Sequence, residues 1–219
     1  MHEVSTSILN AEKGKEAEVI LGLEKSRTDY IHIDVMDGKF VEKNTYQKML
    51  ELASYTRRIS NIPLDIHLMV EDVETAINVF SAVDANIITF HLEACKDEKQ
   101  VFDFINMIKD NHSRVGIALK PNTDIEKIYE FLPYIHVALV MTVEPGKGGQ
   151  TLISDMVNKV QTLKKHIDEN NLETQIEVDG GINLATCEKI KKAGADMLVS
   201  GTAILMAKNY KDIIDELKK

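Results

Sequence analysis

Short apolar runs alternate along this chain with longer stretches whose apolar residues recur every three or four positions, and the two periods predict strands and helices in turn. The first run, residues 4–9, precedes a helical pattern over 11–25 with apolar positions at Ala17, Ile20, Leu21 and Leu23. A second, Tyr30-Ile31-His32-Ile33-Asp34-Val35-Met36, ends at the turn Asp37-Gly38 and passes through a polar loop at 40–45 into a helix around 46–57. Pro63 introduces a third strand ending near His67, followed by a helix at 73–83, a strand at 86–91 and a helix at 98–111. The pattern continues with a strand at 114–119, the turn Pro121-Asn122-Thr123-Asp124, a helix at 125–132, a strand at 136–141 and a glycine-rich loop at 145–150. A long helix at 152–170, strand 175–179, helix 184–193, strand 196–200 and a mostly helical tail at 203–217 follow. Strict alternation predicts a parallel α/β sheet. Eight strand–helix pairs without a linker predict a single closed (β/α)8 TIM barrel over residues 1–219, ahead of an open doubly wound sheet.

Three strands break their apolar runs in an informative way. In the second, Ile31, Ile33 and Val35 alternate with His32, Asp34 and Met36, so the latter three share one face. In the third, Asp65-Ile66-His67-Leu68-Met69 again places an acid, a histidine and a methionine on alternate positions. The seventh, Gln175-Ile176-Glu177-Val178-Asp179, runs into Gly180-Gly181. In such a barrel the C-terminal strand ends carry the chemistry, and His32, Asp34, His67 and Asp179 are expected to meet there. Two imidazoles and two carboxylates suit one divalent metal ion, with Zn²⁺ the first expectation and Fe²⁺, Mn²⁺ or Co²⁺ the alternatives. Each of the four taken alone reads more readily as a locally satisfied core or loop residue; it is the four at strand ends together that point to a site. Glycine-rich turns after strands six, seven and eight, Pro145-Gly146-Lys147-Gly148-Gly149-Gln150, Gly180-Gly181 and Ser200-Gly201-Thr202, allow close backbone approach to an anion and suggest a phosphate site.

Composition narrows the partners. An apolar content of 44% in 219 residues supports one substantial core. Against 26 basic groups stand 35 acidic ones, a net charge of −9, which argues against nucleic acid or an anionic membrane as partner but leaves a small phosphate ester open. Cys95 and Cys187, far apart and outside any CxxC pattern, read as two reduced thiols. No signal-like segment or apolar stretch of about 20 residues is present, so a soluble, cytoplasmic protein is expected.

Taken together, Ser7-Ile8-Leu9, His32-Ile33-Asp34-Val35-Met36-Asp37-Gly38, Leu64-Asp65-Ile66-His67-Leu68-Met69, Met141-Thr142-Val143-Glu144-Pro145-Gly146 and Glu177-Val178-Asp179-Gly180-Gly181-Ile182 resemble the ribulose-phosphate 3-epimerase family, from about residue 5 to residue 205. The resemblance implies a barrel of the ribulose-phosphate binding type and a metal-dependent epimerase that interconverts D-ribulose 5-phosphate and D-xylulose 5-phosphate in the pentose phosphate pathway. It implies that His32, Asp34, His67 and Asp179 are metal ligands and that Asp34 and Asp179 are the acid/base pair. Ser7 and His67 match substrate contacts, Gly148, Gly149, Gly181, Gly201 and Thr202 match phosphate contacts, and Met36, Met69 and Met141 match site-lining methionines. A homo-oligomer is implied as well. The alternatives are an allulose-6-phosphate 3-epimerase, whose motifs are shared, and a non-catalytic sugar-phosphate-binding barrel. The chain departs from the family pattern at Glu42-Lys43-Asn44-Thr45, at Lys147 in place of phenylalanine and at Thr6 in place of proline.

Overall fold

The computed structural model describes residues 2–219 and shows eight parallel strands closed into a barrel in the order β1 to β8, with β8 pairing back onto β1. The strands are β1 (Glu3–Ser7), β2 (Tyr30–Met36), β3 (Leu64–Met69), β4 (Ile87–His91), β5 (Arg114–Leu119), β6 (Val137–Met141), β7 (Gln175–Asp179) and β8 (Met197–Ser200). The helices are α1 (Glu16–Lys25), α2 (Tyr46–Ile59), α3 (Val73–Ser81), α4 (Glu98–Asp110), α5 (Met156–Glu169), α6 (Cys187–Ala193), α7 (Thr202–Leu205) and α8 (Tyr210–Lys218). Each strand is covered on both faces, by helices outside and by its neighbours inside, which is why its sequence is almost continuously apolar. The helices contribute one stripe each. Along α4, Val101, Phe104, Ile105 and Ile108 recur at the helical period and are buried, at about 1.5–3 kcal/mol apiece, while the Asp97 carboxylate caps the first turn by accepting from Gln100 N–H.

Four helices differ from the pattern expected of the sequence. The fifth unit has no α-helix over 125–132; its segment forms two 3₁₀ turns, Ile125–Ile128 and Leu132–Tyr134. Pro133 lacks an N–H and disfavours the α conformation at Leu132, so the turns cannot fuse into a helix. The first helix starts at Glu16 rather than at residue 11, because Gly14 turns the chain with a φ of +87°. α5 starts at Met156 rather than at residue 152, since Ile153 N–H donates to Thr142 O at 2.9 Å and ties the preceding residues to the end of β6. The glycine-rich loop at 145–150 therefore does not open a helix. α6 begins at Cys187 because Asn183 and Thr186 close a side-chain-bonded turn ahead of it.

Inside the barrel the side chains form layers, and their order along the axis decides where the chemistry lies. At the strand starts Ile87, Val137 and Met197 pack together with Tyr30 as an apolar floor. Above it the interior turns polar, with Ser5, His32, Asp65, Thr89 and Glu177 all fully buried. The register pairs Asp34 with His67, Met36 with Met69 and Met141 with Asp179, which places these groups uppermost, at the C-terminal mouth.

Candidate active site

A cavity of about 350 Å³ opens at that mouth, a volume that suits a small ligand. Its wall includes Ser7, Asp34, Met36, Met69, Met141 and Asp179, and its rim is formed by the glycine turns, with Gly148, Gly149, Gly181, Gly201 and Thr202 among them. His32 and His67 lie beneath this surface, fully buried; His32 stands a layer below the strand end at which it was expected.

Two carboxylates and two histidines converge under the cavity. One ligand atom from each of His32, Asp34, His67 and Asp179 lies within 4.8 Å of the others. Asp34 Oδ1 is 3.5 Å from His32 Nε2 and 3.7 Å from His67 Nδ1, and Asp179 Oδ2 is 3.7 Å from His67 Nδ1. The other Asp34 oxygen accepts a hydrogen bond from Ser7 Oγ at 2.7 Å, which turns Oδ1 toward the histidines. His32 Nε2 and His67 Nδ1 are buried without a hydrogen-bond partner, a costly arrangement unless something else fills the space between them and the carboxylates. Two nitrogens with no other partner and two carboxylates are the donor set of a borderline divalent cation, and the buried His/Asp cluster is a divalent-metal site in kind.

The electrostatics agree. Burial alone would lower His32, yet Asp65 and Asp34 outweigh it and raise the imidazole well above its ordinary value, so the pocket calls for positive charge. Burial would raise Asp34, but the charges of His32 and His67 close beside it hold it below the usual carboxylate range. Asp179 is pushed up to about 6 by burial and by the Asp34 charge beside it. The two carboxyls thus differ in proton affinity, Asp34 held low and Asp179 raised.

Sequence reasoning passed over the groups behind these four. Asp65 accepts from His32 Nδ1 at 2.6 Å and from Ser5 Oγ at 2.7 Å. Glu177, fully buried, is pushed well up by burial and by the Asp65 charge, with His32 Nδ1 3.9 Å from its Oε1. On the other side His67 Nε2 meets His91 Nε2 at 2.9 Å, and His91 Nδ1 meets Glu93 Oε2 at 3.1 Å. Asp65 and Glu177 share the inward face with His67 and Asp179 at two-residue spacing, a signal that was available; His91 and Glu93 carried none beyond their place at the end of a strand.

The rim supplies donors. Among the described residues no protein acceptor takes the N–H groups of Gly148, Gly149, Gly181, Gly201 or Thr202. Gln150 Nε2 donates to Glu144 O at 2.7 Å and to Lys147 O at 2.8 Å and so braces the loop between β6 and α5. Lys147 itself is exposed on the rim. After β2, Phe40 lies 4.8 Å from the His91 ring and Val41 covers Gly146 of the opposite loop, while the departing residues Glu42, Lys43 and Asn44 are exposed and Thr45 is buried. Thr6 is buried and hydrogen-bonded to Thr28 at 2.8 Å, so the hydroxyl that stands in for proline is satisfied.

Comparison with known proteins follows the same lines. The family model described as "Ribulose-phosphate 3 epimerase family" matches residues 3–205. The chain is 38% identical over 219 residues to the ribulose-phosphate 3-epimerase of Methanocaldococcus jannaschii, covering all of this chain and 91% of that protein. It is 36% identical to the enzyme of that name from Bacillus subtilis, covering 100% and 99%, and 34% identical to that of Escherichia coli, covering 98% and 94%. Among solved structures, KGPDC from Streptococcus mutans superposes with a TM-score of 0.73 at 15% identity over 100% of this chain and 96% of that one, a likeness of fold. With a family match over nearly its whole length, full-length relatives above 30% identity and the inward His/Asp cluster at the mouth of the barrel, this chain belongs to the ribulose-phosphate 3-epimerase family.

Proposed function

We propose that the protein inverts C3 of D-ribulose 5-phosphate to give D-xylulose 5-phosphate, and the reverse, with Asp34 and Asp179 as the two acid/base groups. The observation that carries this reading is the pairing, at the floor of one cavity, of two carboxyls with opposed proton affinities beneath a rim of free backbone N–H groups. The C3 proton of a 2-ketose is acidified by the neighbouring C2 carbonyl, and its removal leaves an enediolate. One aspartate takes this proton from one face, and the other delivers a proton to the opposite face. A single base would restore the starting configuration, so inversion needs both. Asp34, held ionised, is ready to accept; Asp179, raised to about 6, is the better donor, and the roles exchange with direction.

His32 Nε2, His67 Nδ1, Asp34 Oδ1 and Asp179 Oδ2 are the atoms that would hold a divalent cation, Zn²⁺ in this reading. When bound, such an ion supplies Lewis-acid stabilisation of the negative charge that develops on the substrate oxygens. Ser7 keeps Asp34 aimed and stands within reach of the sugar, and Met36, Met69 and Met141 exclude water around the reacting carbons. The phosphate is held by the N–H groups of Gly148, Gly149, Gly181, Gly201 and Thr202, which fixes C3 over the carboxylates by anchoring the far end of the molecule. No helix among the described residues is long and apolar enough to cross a membrane, and a cytoplasmic homo-oligomer belongs to the same reading.

The test is proton NMR of ribulose 5-phosphate in D₂O with purified protein, beside allulose 6-phosphate and a chelator-treated control. Deuterium entering C3 with formation of xylulose 5-phosphate, lost on chelation and restored by the ion, is expected. Faster exchange with the six-carbon substrate would overturn the substrate assignment, and no exchange in folded, metal-loaded protein would overturn the reaction.

A further inference from the structure

His67 faces the cluster through Nδ1, whereas His32 faces it through Nε2, and the difference traces to what stands behind each ring. Asp65 binds the Nδ1 side of His32 directly. Behind His67 there is no carboxylate but a second histidine, His91, and only behind that Glu93. We infer that Glu93 and His91 form a relay that sets the tautomer of His67, acting as positioning residues for its metal-facing Nδ1 atom. This rests on the metal reading of the site given above.

The hydrogen bonds allow one consistent arrangement of protons. Glu93 Oε1 accepts from Lys120 N–H at 2.7 Å and from the Thr123 hydroxyl, which leaves Oε2 as an acceptor directed at His91. The contact between Oε2 and His91 Nδ1 therefore requires the hydrogen on Nδ1. A neutral His91 then presents a lone pair at Nε2. Its partner 2.9 Å away, His67 Nε2, must carry a hydrogen to donate, so the His67 lone pair falls on Nδ1, the buried atom that faces Asp34 and Asp179. Two imidazole nitrogens meeting at that distance with no such ordering would set lone pair against lone pair or hydrogen against hydrogen. His91 and His67 meet edge to edge, with centroids 5.0 Å apart and planes 27° from parallel, so the ring orientation is held as well as the tautomer. Ligating histidines are commonly tuned by the group on their other nitrogen; here the tuning passes through one additional ring.

A near-isosteric change separates this role from packing. In Glu93→Gln the side-chain oxygen is retained by its two donors, Lys120 N–H and Thr123, so the amide NH₂ turns toward His91 Nδ1. That moves the His91 hydrogen to Nε2, against His67, and reverses the relay. His91→Phe removes the acceptor, while His91→Gln places an amide oxygen near the former Nε2 position and restores it. The assay is Zn²⁺ affinity of chelator-treated full-length protein in competition with a chromophoric chelator, with the thermal midpoint of the metal-free protein and ¹⁵N NMR of the histidine rings alongside. Affinity is expected to fall about 10–100-fold in Glu93→Gln and His91→Phe and to return to within a few-fold of wild type in His91→Gln. The His67 hydrogen is expected on Nε2 in wild type and on Nδ1, or averaged, in Glu93→Gln. Because Glu93→Gln preserves shape, its result decides the matter even if His91→Phe fails to fold. Wild-type protein that binds no Zn²⁺ would overturn the metal reading and this inference together. Tight wild-type binding with unchanged affinity and tautomer in Glu93→Gln, or a fall in His91→Gln equal to that in His91→Phe, would overturn the relay alone.

Discussion

Replacing Gly181 by alanine tests whether the phosphate rim acts through backbone placement. Gly181 follows β7 with a φ of +68°, and an added Cβ would stand 2.4 Å from Leu152 N and 2.9 Å from Gln150 O. Both are backbone atoms of the loop that joins β6 to α5, so neither can rotate away and the loop itself must shift. Gly14 is the matched control: its φ is +87°, yet a Cβ there would meet nothing within 4 Å. Gly14→Ala therefore isolates the backbone cost of a left-handed residue, about 1–2 kcal/mol. Gly181→Ala adds overpacking of about 1–3 kcal/mol, for a total of about 2–5 kcal/mol by urea unfolding. The functional consequence differs more. Loss of one charge-assisted hydrogen bond to phosphate, at about 1.5–3 kcal/mol, corresponds to roughly a 10–150-fold fall in kcat/KM, whereas Gly14→Ala leaves that ratio unchanged. Steady-state kinetics with ribulose 5-phosphate and a coupled assay for xylulose 5-phosphate measure it. If Gly181→Ala kept kcat/KM within twofold of wild type, or lost no more stability than Gly14→Ala, the close approach of the two loops would not be what sets the phosphate site.

Three further outcomes are expected. Asp34→Asn and Asp179→Asn should each lower kcat by about 10²–10⁴ while circular dichroism and thermal midpoint remain near wild type; turnover within tenfold in either metal-loaded variant would refute the two-base assignment. In metal-free protein the His91–Glu93 pair should contribute less stability as pH falls, against the opposite trend from Asp179, whose raised value lets the folded state bind more protons between about 6 and 3.8, so the quantity to read is the difference between wild type and His91→Phe. Burial, aided by the nearby His67, lowers His91 from 6.5 to about 4, and although burial alone would raise Glu93, its hydrogen bonds from His91, Thr123 and Lys120 N–H hold it down to about 2. Both groups bind more protons unfolded than folded, so the His91 contribution, about 3 kcal/mol, is complete above pH 6.5 and drains away by about pH 4, and that of Glu93 follows between about 4.5 and 2. A urea-midpoint profile as steep between pH 6.5 and 4 in His91→Phe as in wild type would contradict this. Lys147→Phe should raise KM two- to fivefold at low salt and less at high salt, as expected for an exposed cation near the phosphate; an equal KM at both salt concentrations would leave Lys147 as a solvated surface residue.

How much of this was legible in the sequence depended on whether a feature was local. β2, β5 and β7 run as expected, because strands buried on both faces are short apolar runs closed by turn residues. The helix expected over 125–132 was not realised, since its apolar spacing suits a helix while Pro133 forbids completing one. His32, Asp34, His67 and Asp179 could be picked out because a polar residue on the inward face of such a strand breaks the local rule, and breaks of that kind mark functional positions. Periodicity gives the face of a strand but not the depth along the barrel axis, so it could not tell that Asp65 lies level with His32 and behind it, or that Glu177 lies one step below Asp179. Depth comes from register, here Ser5 opposite Tyr30 and Asp34 opposite His67, and register is a property of strand pairs. The same reasoning places the His91–Glu93 relay out of reach: β4 sets Thr89 beside His67, which carries His91 past it to the mouth, and only side-chain rotation brings the two rings within 2.9 Å. The residues of the His/Asp cluster can therefore be listed from sequence spacing, whereas the ring atoms they present, and the protons that decide which of those atoms can bind a cation, are set by pairs of strands and become readable only once the barrel is closed.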